Sequence, residues 1–129
     1  MPVLTQSPTL GDLLKYELNA NYTRETVTLK AGTSYPLGAV LGKITASGKY
    51  RLSPPAQVVG DEGAETAVAV LIEAVDATAA DATGLVVARG PAIVSKVALV
   101  FDASVDQAAE ITAKHAQLVA AGIVPRDTA

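Results

Sequence analysis

The sequence predicts a mainly β fold: a compact domain of short strands with an extended amino-terminal arm and one carboxyl-terminal α-helix. Short apolar runs are separated by glycine and proline turn signals through most of the chain, which is typical of short, sharply turned strands. Aromatic residues make up only 4%, and much of the apolar excess is alanine and valine, which favours a core of small branched side chains. A helical spacing begins only at Ser104, so a single helix is expected there.

Residues 1–21 are predicted to form the arm. Two prolines and a glycine lie among polar residues there, and apolar side chains are few. Such a segment buries too little surface to order itself, so we expect it to be mobile until a partner surface is offered. Its apolar residues could then add as an extended strand to the edge of a partner's sheet; they are Leu10, Leu13, Leu14, Tyr16 and Leu18. The alternative is a flexible tail without a role.

The stretch Tyr35–Tyr50 is predicted to be the central strand pair of the domain. It is preceded by Thr23–Leu29, where polar and apolar residues alternate as in a half-buried strand. Within the central stretch, Ser47-Gly48 is expected to turn the chain, because glycine tolerates positive φ. The buried side chains of the pair are predicted to be Val40, Leu41 and Ile44.

A second apolar block, residues 67–101, is predicted to pack against this pair. Its first part reads AVAVLIEAV from Ala67 to Val75, and because it is apolar on both faces it predicts one fully buried strand. Residues 76–84 then form a polar, alanine-rich connection. Three further short strands are predicted at Leu85–Ala88, Ala92–Val94 and Val97–Phe101.

The helix is predicted over residues 104–121. Ser104 with Gln107 three residues later indicates a capping box, and Gly122 marks the helix exit. The apolar stripe at three- and four-residue spacing consists of Ala108, Ile111, His115 and Leu118. Three polar residues lie off this stripe, namely Glu110, Lys114 and Gln117. We therefore expect the helix to rest on the β domain or on a neighbouring subunit.

Length and composition favour one domain that belongs to an assembly. The 129 residues suffice for a single domain, assigned to residues 22–129, and for the arm. Hydrophobic residues reach 50% while charged residues are only 18%, so an isolated monomer would expose much apolar surface. An oligomer is expected.

Charge and hydropathy argue against nucleic-acid and membrane partners. The net charge is -3 and no Lys/Arg cluster occurs, whereas binding to phosphates needs a concentrated basic face. No segment reaches the roughly 18 apolar residues of a membrane helix, and the first residues do not resemble a signal peptide. With no cysteine, neither disulfides nor thiolate metal sites arise. We expect an intracellular product.

Two motifs that resemble binding loops fail on spacing. Gly38-Ala-Val-Leu-Gly42-Lys43 has three residues between its glycines and is followed by Ile44, whereas a phosphate loop needs four residues there and Ser or Thr after the lysine. Gly60-Asp-Glu-Gly63 carries two adjacent acids without further ligands at alternate positions, so it predicts a solvated turn rather than a calcium site.

Catalytic, cofactor and metal-ligating residues are not predicted. His115 is the single histidine, and nothing in the sequence indicates a nucleophile or carboxylate beside it; we predict a helix-surface side chain. Asp76 and Asp81 bracket a loop whose spacing sets no acid–base geometry, so they are predicted to cap it.

Four segments in this order resemble the head decoration protein D family of lambda-like bacteriophages and prophages. They are Pro36-Leu-Gly38-Ala-Val-Leu-Gly42-Lys43-Ile44, then Gly48-Lys49-Tyr50, then Ala74-Val75-Asp76-Ala77-Thr78, then Arg89-Gly90-Pro91-Ala92. The resemblance runs from about Tyr22 to Gly122-Ile123. The helix from Ser104 onward departs from the family pattern, which leaves the trimer contacts open.

The resemblance implies a β-clip-like fold and a structural role without enzymatic activity, cofactor or metal. Members form homotrimers on the outer surface of the expanded head, at local three-fold positions, where they bridge subunits of the major capsid protein and resist the pressure of packaged DNA. The implied location is the virion, after synthesis in the host bacterial cytoplasm. Trimer contacts are predicted at Leu85, Val86, Val87, Ile93, Val97 and Val100.

Two other classes of function stay open at this point. A phage tail or tube subunit shares the composition, but it would assemble into rings or filaments rather than stop at a trimer. A small ligand-binding β domain should instead show polar side chains that converge in a pocket.

Overall fold

A computed structural model describes residues 13–127 of the chain and confirms the mainly β fold with one long helix near the carboxyl end. The strands are β1 (Leu14–Glu17), β2 (Arg24–Leu29), β3 (Thr33–Tyr35), β4 (Val40–Lys43), β5 (Tyr50–Leu52), β6 (Ala67–Leu71), β7 (Val75–Ala77), β8 (Ala82–Val87), β9 (Ala92–Ser95) and β10 (Ile123–Arg126). The helices are the one-turn α1 (Ala20–Thr23) and α2 (Ala108–Ala120).

Five strands close into a barrel in the order β2-β5-β4-β6-β8. The pairs β2–β8, β4–β5, β4–β6 and β6–β8 are antiparallel, while β2 meets β5 in parallel at Leu29 and Tyr50. The predicted central pair is confirmed as β4 and β5. Its three predicted core residues are buried, and Gly48 between the strands has φ of +74°.

Local pattern explains β2 and β4. In β2, Val27 and Leu29 are buried while the threonines between and before them are exposed, as alternation predicts. In β4, a Cβ on Gly42 would lie 2.0 Å from the carbonyl oxygen of Ala64. Only glycine therefore lets the loop 53–66 cross so closely over this strand.

The long apolar run that was predicted as one strand is divided between two sheets. β6 ends at Leu71, and Val75–Ala77 forms β7, which pairs with β3 in a separate two-stranded sheet. Glu73 lies at the break, where its carboxylate accepts a hydrogen bond from the backbone N–H of Leu85 at 3.0 Å. Apart from Glu73 the run is apolar, so its periodicity alone could not show where the chain leaves the barrel.

The prediction of a strand at Val97–Phe101 is wrong. Residues Lys96–Ala98 form a 3-10 turn, and the Val97 side chain is 85% exposed. Only Val100 makes a bridge: its N–H donates to Gly38 at 2.9 Å, and its carbonyl accepts from Val40 at 2.8 Å. The β preference of valine does not produce a strand here, because Val100 alone in this segment pairs with the backbone of Gly38 and Val40.

The helix starts later than predicted, and a strand follows it. Gln107 caps α2, and its side chain and that of Glu110 form the capping box. Ser104 instead donates to the carboxylate of Asp102. Gly122, with φ of +88°, ends the helix as predicted. The chain then enters β10, which pairs in parallel with β9 and was not predicted.

Residues 13–21 of the predicted arm fold with the rest of the chain. Leu13 has no exposed surface and belongs to the core formed by the barrel, α2 and β9. β1 pairs antiparallel with β9, so that the third sheet has the order β1-β9-β10. The sheet edge to which this segment adds is therefore one of the chain's own. Residues 1–12, with Leu10, lie outside the described part.

A buried lysine fixes α2 to the domain. Lys114 is 2% exposed, and its ammonium donates to Ser53 Oγ at 2.8 Å, to the Pro54 carbonyl at 2.6 Å and to the Glu65 carbonyl at 2.5 Å. The predicted apolar stripe is thus wrong in part, because Lys114 and Leu118 are the buried helix residues while Ala108 is exposed. The aliphatic stem of lysine packs like an apolar side chain when its ammonium finds acceptors.

Candidate functional site

The prediction that His115 is a helix-surface side chain is only partly correct, because its imidazole Nε2 is buried. His115 is half-buried beside Phe101, with ring centroids 5.9 Å apart. Burial lowers the pKa of His115, so the imidazole is neutral at pH 7. Within residues 13–127, no three His, Cys, Asp or Glu side chains are grouped so as to hold a metal ion.

Asp76 and Asp81 cap loops, as predicted. Asp76 accepts hydrogen bonds from the N–H and hydroxyl of Thr78 at 3.0 and 2.7 Å. Asp81 accepts from the Ala31 N–H at 2.8 Å and from Lys49 Nζ at 2.5 Å. These hydrogen bonds lower the pKa of both carboxyl groups. Each carboxylate is held ionised in its own loop, rather than paired for proton transfer.

The acidic turn at residues 60–63 is not simply solvated. The side chain of Asp61 is 8% exposed and joins Lys30 Nζ at 2.7 Å and Arg51 Nη1 at 2.8 Å. Arg51 also lies 3.6 Å from Asp102. These charges line a cavity of about 240 Å³ together with Thr33 and Tyr35. Because the charged groups pair with one another, the network ties the 53–66 loop to the barrel.

The Asp61 network predicts a loss of stability in acid. Hydrogen bonds from Lys30, reinforced by Arg51, hold the pKa of Asp61 below its usual 3.8. A lowered carboxyl pKa contributes stability that is complete above pH 3.8 and is lost as pH falls through the folded-state value. Urea unfolding from pH 5 to pH 2 should therefore show a steeper decline for the native chain than for Asp61→Asn. Parallel declines would show that Asp61 is not the titrating group.

The residues predicted to bind a capsid differ in exposure. Leu13 is buried and Leu14 is half-buried against the core. Tyr16 and Leu18 are 48% and 59% exposed. The register of β1 against β9 shifts between Leu14 and Tyr16, and such a bulge turns side chains two residues apart to different sides. Two of the predicted side chains are thus presented outward.

The residues predicted to form trimer contacts are also divided. Val86 and Val87 are fully buried in the chain's own core, so their side chains are not available to a second copy. Leu85 and Ile93 are half-buried. Val97 and Val100 are exposed. Alternation along β8 could not have indicated this division, because the neighbours Val86 and Val87 are buried in two different core clusters on opposite faces of the strand.

Sequence reasoning missed Tyr22 and Arg89. Tyr22 is 57% exposed, and the Arg89 guanidinium lies over its ring at 5.6 Å from the centroid. Arg89 also donates to the Tyr22 carbonyl at 2.6 Å and to Glu25 at 3.1 Å. No sequence signal joins residues so far apart in the chain.

Comparison with known proteins yields one family. A family model described as bacteriophage lambda head decoration protein D matches residues 3–123. No curated protein matches the chain at a significant level. Among residues 13–127, no helix is both long and apolar enough to cross a membrane.

Proposed function

The chain belongs to the family of the bacteriophage lambda head decoration protein D, and we propose that it binds the outside of the expanded phage head as a homotrimer. Its partner is the major capsid protein, at the local three-fold positions of the shell. There it bridges neighbouring subunits and stabilises the head against the pressure of packaged DNA. The protein is made in the cytoplasm of the host bacterium.

The family match carries this proposal, because it spans nearly the whole chain and includes the barrel, β1, β9 and α2. The described part of the chain agrees with a structural role. Its buried charges join one fold element to another, as Lys114 and Asp61 do. The exposed valines Val97 and Val100 are the predicted trimer residues that stay available for contact with another copy.

The amino-terminal residues are proposed to supply the capsid anchor. Residues 1–12 precede Leu13 in the sequence, and the Leu13 side chain is buried in the domain. β1 lies at the edge of its sheet, where an extended partner segment can add by main-chain hydrogen bonds. Leu10 then contributes an apolar contact, while Leu13 and Leu14 hold the segment to its own domain.

Light scattering and capsid binding test the proposal. We expect a mass of three 13.1 kDa chains at micromolar concentration, and saturable binding to expanded but not to unexpanded capsids. The unexpanded capsid is the matched control, because it presents the same subunits in another arrangement. A monomeric mass would remove the trimer, and rings or filaments would favour a tail or tube subunit.

A further inference from the structure

An exposed aromatic surface surrounds the segment Arg89–Ile93. Leu18 donates its N–H to the Pro91 carbonyl at 3.1 Å, and Tyr16 lies opposite Ile93 across the β1–β9 pair. Tyr22 packs under Arg89. We call the side chains of Tyr16, Leu18, Tyr22 and Arg89 the aromatic surface.

The exposed aromatic side chains of the described residues are concentrated in this surface. Of the chain's five tyrosine and phenylalanine side chains, Tyr35 and Tyr50 are buried and Phe101 is half-buried. The two that are exposed both belong to the aromatic surface. Tyrosine and arginine are enriched where proteins bind one another, because they bury a large area and also offer hydrogen bonds.

An ion pair of Glu17 holds the strand that carries part of the aromatic surface. Glu17, on β1 between Tyr16 and Leu18, accepts from Arg24 Nη2 at 2.5 Å and from Arg24 Nε at 2.9 Å. It also accepts from the Thr23 hydroxyl at 2.6 Å. The Glu17 side chain is 13% exposed. This bidentate pair fastens β1 to the start of β2, so the backbone that carries Tyr16 is already ordered before a partner binds.

The charges at the aromatic surface are already paired within the chain. Arg24 is paired with Glu17, and Arg89 with Glu25. The charges of these two pairs cancel, so the contact should depend on apolar burial more than on long-range attraction. Weak dependence on salt is the expected signature.

We propose that the aromatic surface is a second contact with the major capsid protein, formed by the domain itself beside the amino-terminal anchor. This inference rests on the proposed function. Residues 1–12 end directly before Leu13 in the sequence, and Tyr16 is three residues beyond Leu13, at most about 10 Å away along an extended chain. A capsid subunit that binds the segment before Leu13 is thus brought beside the aromatic surface.

Capsid binding by substituted full-length chains tests the inference. Tyr16→Ser and Tyr22→Ser should each bind expanded capsids about tenfold more weakly, as expected for interface tyrosines, with the trimer mass and melting temperature unchanged. Val119→Ser and Val59→Ser are the matched controls, since these valines are 52% and 98% exposed and lie in other parts of the sequence. Both controls should bind within about twofold of the native chain.

Three results would overturn the inference. Native affinity in both tyrosine variants would show that the aromatic surface is not covered by the capsid. A loss of the trimer in these variants would assign the surface to contact between copies. Absence of capsid binding by the native chain would remove the proposed function and this inference with it, whereas a defect confined to the tyrosine variants supports both.

Discussion

We expect that deletion of residues 1–12 will leave a folded trimer that binds expanded capsids at least tenfold more weakly. Deletion of residues 1–17 should instead unfold the domain or lower its melting temperature by more than about 10 °C. The shorter deletion removes the proposed anchor but keeps every described contact. The longer one also removes β1, which covers one edge of β9. Thermal unfolding and capsid binding measured on both chains separate anchoring from folding.

The large loss of stability expected for the chain without residues 1–17 follows from the burial of the side chains that this deletion removes. Leu13 has no exposed surface, and removal of a buried leucine side chain costs about 2 to 5 kcal/mol. Loss of the Glu17 pair with Arg24 leaves a partly buried guanidinium without its carboxylate. Together these losses are comparable to the total stability of a small domain, about 5 to 15 kcal/mol.

Leu13→Ala in the full-length chain is the control for these deletions. It should lower stability while leaving capsid binding intact below the melting transition, because residues 1–12 are still present. If the chain without residues 1–12 bound capsids as tightly as the native chain, the anchor would have to lie within the domain. If the chain without residues 1–17 melted like the native one, β1 would be dispensable for folding.

Lys114→Ala is expected to destabilise the protein by about 3 kcal/mol or more. The change empties space beneath α2 and leaves the Pro54 and Glu65 carbonyls without the ammonium donor. Lys114→Met keeps most of the stem and should cost less. Lys49→Ala is the matched control, because Lys49 is exposed and its ion pair with Asp81 lies at the surface. Urea unfolding at pH 7 measures all three differences.

Alkaline pH provides a second measurement of Lys114. Burial lowers the pKa of this lysine below its usual 10.5, so the unfolded chain binds its proton more tightly than the folded chain does. Between the folded value and pH 10.5, Lys114 should therefore make stability rise with pH. The stability difference between the native chain and Lys114→Met should grow in favour of the native chain over this range. A constant difference would contradict the lowered pKa of Lys114.

Local pattern was sufficient for several features of this protein. Alternation identified β2 and its buried face, because alternate side chains of a strand point to opposite sides. Gly48 and Gly122 were predicted at turns, and both adopt positive φ, a conformation that side chains oppose. The residues quoted for the resemblance led to the family that the family model confirms.

Contacts between distant residues decided the features that the sequence alone did not determine. Lys114 is a charged residue that would be expected at the surface. It is buried because three acceptors that lie 49 to 61 residues away in the sequence bind its ammonium. The run Ala67–Val75 is apolar apart from Glu73, and its pairing with β3 shows where it leaves the barrel. β1 and β10 are short strands ordered mainly by β9 between them. A short segment has too little internal bonding to set its own structure, and its partner therefore decides it.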